Sequence, residues 1–463
     1  MTLVEPTSHN HAINMLAMSH CPKEAPMLSR AENEILCRTG PGTPMGELFR
    51  RFWMPALLVS DLSEPGGEPV RLKLLGENLV AFRDSDGKIG VLERHCPHRL
   101  ADMWFGRNEN GGLACAYHGW KFDVDGKCME MPTETAESSY KHKVRMTSYP
   151  AAEWGSVIWV YMGPSEQQPE LPQMEWCRVP ESNRVVSSWL QDSNYMQATE
   201  GEIDSAHISF NHRWMNMDAR PPGQRQQGRT LSDGSQMQVL DGAPRLTIKE
   251  TDYGFTYGSR RDIKNGEFYW RVTQFLLPFY SMIPGPGRTA GGGRCWVPVD
   301  DEHNMVFQYN ANADEPMTDQ QRANFRASPE ALFREHHELK DGTIIDCWRP
   351  KRQRGNDYLI DRRMQKYDNY TGIASGREQD MAMTDGMGPI PQRWREHLGT
   401  TDVAIITARK ILLRLARDLQ EGKEPYAPHH GDAYRVRPID IVSPESDFIK
   451  LYDKHHDLSL AKV

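Results

Sequence analysis

The chain has 463 residues, 38% of them hydrophobic, and a formal net charge of −8. That size allows two or three domains with a substantial buried core, and the acidic balance excludes the basic footprint of a nucleic-acid binder and the polybasic patch of a membrane-surface protein. No stretch approaches the roughly 18 uninterrupted apolar residues of a spanning helix. The opening MTLVEPTSHNHAINMLAMSH, with its early Glu5, lacks the apolar centre of a secretory leader, so a cytoplasmic protein is expected. Eight cysteines in a reducing compartment point to metal ligation or buried thiols rather than a disulfide framework.

Residues 1–26 are polar and without period, and 1–40 are expected to form an N-terminal extension that runs into the turn formers Gly40, Pro41, Gly42 and Pro44. From 41 to 165 short β-rich runs alternate with turn signals. In LVAFRDSDGKIGVLE the turn falls at 84–87, and in GWKFDVDGKCME at Asp125 and Gly126. A small all-β domain is expected there. A proline-containing linker at 166–172 precedes a second domain expected over 166–463. Its pattern predicts a helix over 192–212, strands over 239–257, 268–283 and 295–312, and helices over 318–337 and 402–421. In the last helix Val403, Ile406, Leu413, Ala416 and Leu419 recur at helical spacing, Thr401 or Asp402 can cap it and Gly422 can close it. The fold class is therefore α+β, with a mostly antiparallel sheet and long helices in the second domain.

Two short motifs carry chemistry. Cys96-x-His98 and Cys115-x2-His118 are separated by sixteen residues and sit on two loops of the β domain. Two thiolates and two imidazoles can hold structural zinc, or a Rieske [2Fe-2S] cluster in which two histidines replace two cysteines on one iron. The context CAYHGWKFDVDG favours iron–sulfur, because Gly119 lets backbone N–H groups come close to the inorganic sulfides. The second motif is EGEIDSAHISFNH, residues 200–212. His207 and His212 are five apart, about 140° around an ideal helix, so both reach one ion only if the helix loosens or ends between them. Asp204 and His207 are three apart and share a face. Two histidines and a carboxylate with open positions form the triad of non-heme iron(II) oxygenases; the downstream carboxylates Asp380 and Asp385 are candidates for the third ligand.

With these residues the chain resembles the oxygenase component of bacterial Rieske-type ring-hydroxylating oxygenases over nearly its whole length from about Met27. Respiratory Rieske proteins carry an extra cysteine in each loop, joined in a disulfide; here Ala101 and Tyr117 stand at those places, which implies a lower-potential cluster. Asp-x2-His-x4-His is the family's iron motif, and GREQDMAMTDGMGPIPQRWREHLGTTD resembles its phthalate dioxygenase branch, a match that makes Asp380 the ligand. Asp385, Gln379, Met387 and Gly388 are then expected beside the site. The resemblance implies an N-terminal Rieske domain, a helix-grip (START-like) catalytic domain whose sheet wraps the long C-terminal helix, and a homotrimer or stacked hexamer. In such a trimer His118 of one chain meets Asp204 of the next, and Asp204 bridges electrons to His207. It also implies a separate NAD(P)H-dependent reductase of flavin and iron–sulfur type, since the chain has no Gly-x-Gly-x-x-Gly fingerprint.

The branch acts on aromatic acids, with dioxygen as co-substrate. A carboxylate buried near iron calls for arginine, and Arg260 and Arg261 are the adjacent candidates, with Arg245 and Arg271 as others. Where true phthalate dioxygenases place a serine after the first iron histidine, this chain has Ile208, which argues for a less polar or larger acid than phthalate. Cis-dihydroxylation is the expected reaction. O-demethylation by the same metal set and a Rieske electron carrier without oxygenase activity are the alternatives.

Overall fold

The computed structural model describes residues 28–135, 137–219, 241–284, 292–326 and 332–463. The unperiodic start at 1–26 lies outside the described residues. So do 239–240 of one expected strand and 327–331 of one expected helix.

The N-terminal β domain consists of three small antiparallel sheets. One joins β1 (Trp53–Leu58), β10 (Val157–Tyr161) and β9 (Ala151–Trp154). The second joins β2 (Val70–Leu74), β3 (Glu77–Arg83) and β4 (Ile89–Glu93). The third joins β5 (Arg107–Glu109), β6 (Gly112–Ala114), β7 (Lys121–Phe122) and β8 (Cys128–Glu130). Two of the hairpins close on the same five-residue device. In Asp84-x-Asp-Gly-Lys88, Asp84 Oδ1 accepts the N–H of Asp86 at 2.9 Å and of Lys88 at 2.8 Å, with Gly87 at φ +86°. In Asp123-x-Asp-Gly-Lys127, Asp123 Oδ1 does the same for Asp125 and Lys127, with Gly126 at φ +78°. The aspartate side chain mimics a turn carbonyl and glycine supplies the left-handed step.

The second domain is built on an eight-stranded antiparallel sheet in the order β11 (Arg184–Gln191), β17 (Asn304–Ala311), β16 (Gly293–Pro298), β15 (Tyr280–Met282), β14 (Phe268–Leu276), β13 (Gly254–Asp262) and β12 (Arg245–Thr251), with β20 (Ile439–Ser443) paired to the free end of β14. The helices are α1 (Arg30–Cys37), α2 (Pro44–Phe49), α3 (Glu175–Arg178), α4 (Tyr195–Ile203), α5 (Asp319–Arg326), α6 (Arg362–Tyr367), α7 (Gly376–Gly386), α8 (Val403–Gln420) and α9 (Phe448–Lys454). The long C-terminal helix expected over 402–421 is α8. It buries Ala404, Ile405, Ala408, Ile411, Leu412, Leu413 and Ala416, and α1 and α2 pack on it. Asp402 stands at its cap position, but its carboxylate takes the N–H of Gly399 at 2.6 Å. Gly422, at φ +81°, follows its end.

Two expected elements are corrected. The expected helix 192–212 ends at Ile203, and the expected helix 318–337 holds only α5 before the chain turns extended. Residues Phe333–Glu338 and Ile344–Arg349 form the hairpin β18–β19, closed by Gly342 at φ +81°. This hairpin clamps the two domains together. Asp346 of β19 accepts Arg71 of β2 through the backbone N–H (2.8 Å) and Nη2 (2.8 Å), and Arg94 Nη1 donates to Ile344 O at 2.7 Å.

The interior carries charge where the helices meet. Glu200, on α4, is buried between Arg393 (Nη2 at 3.0 Å) and Arg409 of α8 (Nε at 2.6 Å). Burial alone would raise its carboxyl, but the two guanidinia hold it below the usual range. Arg393 also donates to Asn33 Oδ1 at 3.1 Å on α1, and Arg409 to Glu396 at 2.7 Å. Removing one partner of such a group strands the others in a low-dielectric interior. Helix α7 is anchored separately: Gln191 Nε2 donates to Asp385 Oδ1 at 2.9 Å, and the Tyr358 hydroxyl donates to Oδ2.

Glu200→Gln should therefore cost about 3 kcal/mol or more of unfolding free energy, read from denaturant midpoints. Burial pushes the Asp385 carboxyl from 3.8 to about 6, so the folded chain holds that proton more tightly than the unfolded chain. Its stabilising share is complete below about pH 4 and is lost as pH rises through about 6. Asp385→Asn should flatten the fall in stability across that window, by about 2–3 kcal/mol at neutral pH.

Candidate metal centres and active site

The loop after β4 and the loop before β7 are near copies of each other. Cys96 N–H donates to Ala101 O (2.9 Å) and Cys96 O accepts from Leu100 N–H (2.9 Å). Cys115 N–H donates to Trp120 O (2.8 Å) and Cys115 O accepts from Gly119 N–H (2.8 Å). Both loops turn on a left-handed residue, Leu100 at φ 58° and Gly119 at φ 75°. At the second a Cβ would stand 2.7 Å from Pro132, so glycine is required there. Cys96 and Cys115 are buried, while His98 and His118 are only partly covered, with ring centroids 4.4 Å apart. Trp120 stacks on His98 at 4.3 Å. Burial pushes the Cys96 thiol up to about 12, and Cys115 adds to this. His98 Nδ1 is buried without a partner. Two inward thiols, two outward imidazoles and an orphaned ring nitrogen fit a cluster with one iron inside and one near the surface.

The second centre forms where α4 stops. Asp204 N–H still bonds Glu200 O (3.1 Å), but Asp204 is extended, and its Oδ1 accepts the N–H of Ala206 (2.7 Å) and His207 (3.3 Å). A single turn, His207–Ser209, follows. Strand β13 fixes this break: Tyr257 OH donates to Ile203 O (2.8 Å), Ser259 Oγ meets Ser205 Oγ (2.7 Å), and Arg261 Nη2 donates to Ser205 O (2.6 Å). The chain then swings His212 round so that its Nε2 is 3.3 Å from His207 Nε2.

Helix α7 brings Asp380 in, with Oδ1 at 3.0 Å from His212 Nε2 and 3.6 Å from His207 Nε2. One ligand atom from each of the three lies within 4.8 Å of the others, the one such group found among the described residues. Burial would raise Asp380, but His212, His207 and Arg294 bring its carboxyl down to about 2. Burial would likewise lower His207, and Asp204 and Asp380 outweigh it to raise it. One carboxylate oxygen and two imidazole nitrogens converging in this way are suited to hold a cation. His212 Nδ1 sits 2.7 Å from Gln379 Oε1, whose amide is fixed on Ile373 O (2.7 Å), which leaves Nε2 free as a ligand. Two imidazoles and one carboxylate fit iron(II) with open positions.

The other expected residues divide. Asp385, five residues beyond Asp380, faces Gln191 and Tyr358 and is not in the triad. Met387 is exposed, and Gly388 offers its carbonyl to Gln197 (2.6 Å). Ile208 is half-buried on the turn beside His207. Arg260 points away from the site, to Ser446 O (2.9 Å) and the Phe268 ring, and Arg245 pairs with Asp262 at the surface. Arg261 is fully buried, its hydrogen bonds spent on Asp241 O, Ser205 and Ser259. Arg271, cross-strand from Ser259, is buried with Nε unpartnered. Asn211, Glu202, Arg294 and Arg377 were not singled out by the sequence. Asn211 Nδ2 donates to Asp380 Oδ1 at 2.9 Å, and Glu202, Arg294 and Arg377 share with Asp380 the lining of a cavity of about 20 Å³. An arginine within the apolar strand Gly293–Pro298 was the available signal.

Comparison with known proteins bears on the family and the fold. Residues 52–150 match the Rieske [2Fe-2S] domain, and 160–448 match the LigXa C-terminal domain-like family. The chain is 38% identical over 409 residues to the 3-chlorobenzoate-3,4-dioxygenase oxygenase subunit of Comamonas testosteroni, covering 87% of this chain and 92% of that protein. It is 38% identical over 401 residues to the phthalate 4,5-dioxygenase oxygenase subunit of Pseudomonas putida, covering 86% and 88%. In fold it is similar to NdmA of Pseudomonas putida CBB5, with a TM-score of 0.54 at 17% identity over 87% of this chain and 100% of that one. The chain belongs to the Rieske non-heme iron aromatic-ring oxygenases, as an oxygenase component of their phthalate dioxygenase-like branch.

Proposed function

We propose that this protein is the terminal oxygenase of a multicomponent system that cis-dihydroxylates an aromatic carboxylic acid, with dioxygen and with electrons from an NAD(P)H-dependent reductase of flavin and iron–sulfur type. The observation that carries the reading is the convergence of His207, His212 and Asp380 in a chain that also presents two buried thiols and two imidazoles. In this reading Cys96, His98, Cys115 and His118 hold the [2Fe-2S] cluster, and His207, His212 and Asp380 hold iron(II). The cluster supplies single electrons and the iron supplies the open positions at which dioxygen is activated.

The chain's own residues bind and orient. Gln379 fixes the ring of His212, and Asp204 lies 3.7 Å from His207 Nδ1 with its side chain still partly exposed, as an electron bridge to a neighbouring subunit requires. A trimer, or two stacked, is supported by exposed apolar groups at both ends of that route: Leu100, Phe105 and Tyr117 around the cluster loops, and Phe210, Met215 and Tyr370 around the iron motif. Arg271 is the proposed anchor of the substrate carboxylate. Its cross-strand partner Ser259 faces the iron loop, its guanidinium is buried, and Nε is free. A cytoplasmic location accords with the described cysteines, all of which are unpaired. No described helix is long and apolar enough to cross a membrane.

Anaerobically purified protein should hold about three irons and two sulfides per chain. His207→Ala should hold about two of each with an unchanged cluster spectrum; wild type that iron(II) cannot raise above two irons would leave an electron carrier. A panel of aromatic acids should give cis-diols. Formaldehyde from methoxylated acids would move the reaction to O-demethylation. Arg271→Gln should raise KM for the acid by about 10- to 100-fold while kcat changes little, as expected for a lost charge-assisted pair of about 1.5–3 kcal/mol.

A further inference from the structure

The two oxygens of Asp380 keep different company. Oδ1 faces both imidazoles and accepts Asn211 Nδ2 at 2.9 Å. Oδ2 turns the other way, to Arg294 Nη1 at 3.6 Å. That same Nη1 donates to Glu202 Oε2 at 2.7 Å. The side chains of Arg294 and Glu202 are only 15% and 5% exposed, so solvent screens this ion pair little. Glu202 stands on the last turn of α4 and Arg294 on β16, so the guanidinium is aimed by one wall of the site and carried by another.

Asp380 and Arg294 both border the cavity of about 20 Å³, lined also by Trp189, Glu202 and Arg377 among others. It has room for about one water, and none for an aromatic ring. Its lining is mixed: Arg377 Nε and Nη1, Glu202 Oε1 and Trp189 Nε1 are buried without protein partners, beside the apolar Ala198, Trp296 and Met381, and the Arg377 guanidinium lies 4.3 Å over the Trp189 ring. Asp380 thus borders a small niche that it shares with Glu202 and the guanidinia of Arg294 and Arg377.

We propose that Arg294, aimed by Glu202, is a positioning residue that keeps Asp380 a one-oxygen ligand. The inference rests on the reading of His207, His212 and Asp380 as an iron(II) site. A carboxylate can bind a metal through one oxygen or both. If Asp380 rocked so that Oδ2 also bound, one fewer position would remain for an exogenous ligand. Arg294 opposes that rotation by charge, and Asn211 opposes it from the Oδ1 side.

The test uses full-length protein with its cluster intact and oxidised, loaded anaerobically with iron(II). Three quantities are read: iron per chain, the near-infrared ligand-field bands of the bound iron, and its affinity for nitric oxide from the EPR signal of the complex. Arg294→Gln should keep the third iron, shift the ligand-field bands and weaken nitric oxide binding on the order of tenfold. Arg294→Lys should keep bands and affinity close to wild type. Arg294→Gln with wild-type bands and affinity overturns the clamp. Wild type that takes up no third iron overturns the iron site itself, a result distinct from failure of the clamp. Should Arg294→Gln not fold, an anaerobic crystal structure of the iron-loaded wild type decides. Oδ1 alone at bonding distance, with Oδ2 against Arg294, supports the clamp; both oxygens on the iron refute it.

Discussion

One buried carboxylate organises the catalytic half of the molecule. Glu200 lies between Arg393 and Arg409, and through them ties α4 to α8 and to α1. It sits on the last full turn before Asp204, and its own carbonyl accepts the Asp204 N–H. The place where the helix stops is thus pinned from inside by charge and from the sheet side by Tyr257, Ser259 and Arg261. An ion group of this kind contributes little net stability over a well-packed apolar one. What it contributes is register: the ionised groups have few other places to go, so the helix end cannot slide along α8.

The two centres are built on opposite plans. The cluster loops are local, each a few residues long, and each closes by its own backbone bonds around a left-handed residue. The iron triad is long-range, with Asp380 arriving on α7 far along the chain from His207 and His212. The first is preorganised by turn geometry, and the second by the packing of helices against a sheet. Positioning groups accordingly crowd the triad, where Gln379, Asn211 and Arg294 each restrain one ligand atom or its neighbour.

These plans explain what could be read from sequence. Local features were plain: the paired Asp-x-Asp-Gly-Lys turns, both Cys/His pairs, and the need for the helix to end between its two histidines. Features that depend on register were not. Arg261 and Arg271 differ from Arg260 only by which face of β13 and β14 they occupy, and that face is set by pairing with distant strands. The segment 333–337 read as the end of a helix because Arg334 and Glu335 favour helices, and as a two-stranded ribbon the hairpin lacks a clean apolar alternation. Its Asp341 Gly342 turn was the overlooked sign. Asn211 lay in full view inside the iron motif, but nothing in its spacing tells that it reaches Asp380 rather than solvent.

The β18–β19 hairpin has a kinetic meaning. To part the two domains, the buried Arg71–Asp346 pair, the Arg94–Ile344 bond and the packing of β19 on β2 would all have to be exchanged for water together. The cluster does not swing between an electron donor and an electron acceptor, as a tethered carrier does. In the proposed trimer the electron's gap lies between chains, so this hairpin does not set that gap; it makes the cluster loops and the iron motif of each chain one stiff piece, and electron delivery waits on the arrival of the donor protein rather than on motion within the chain.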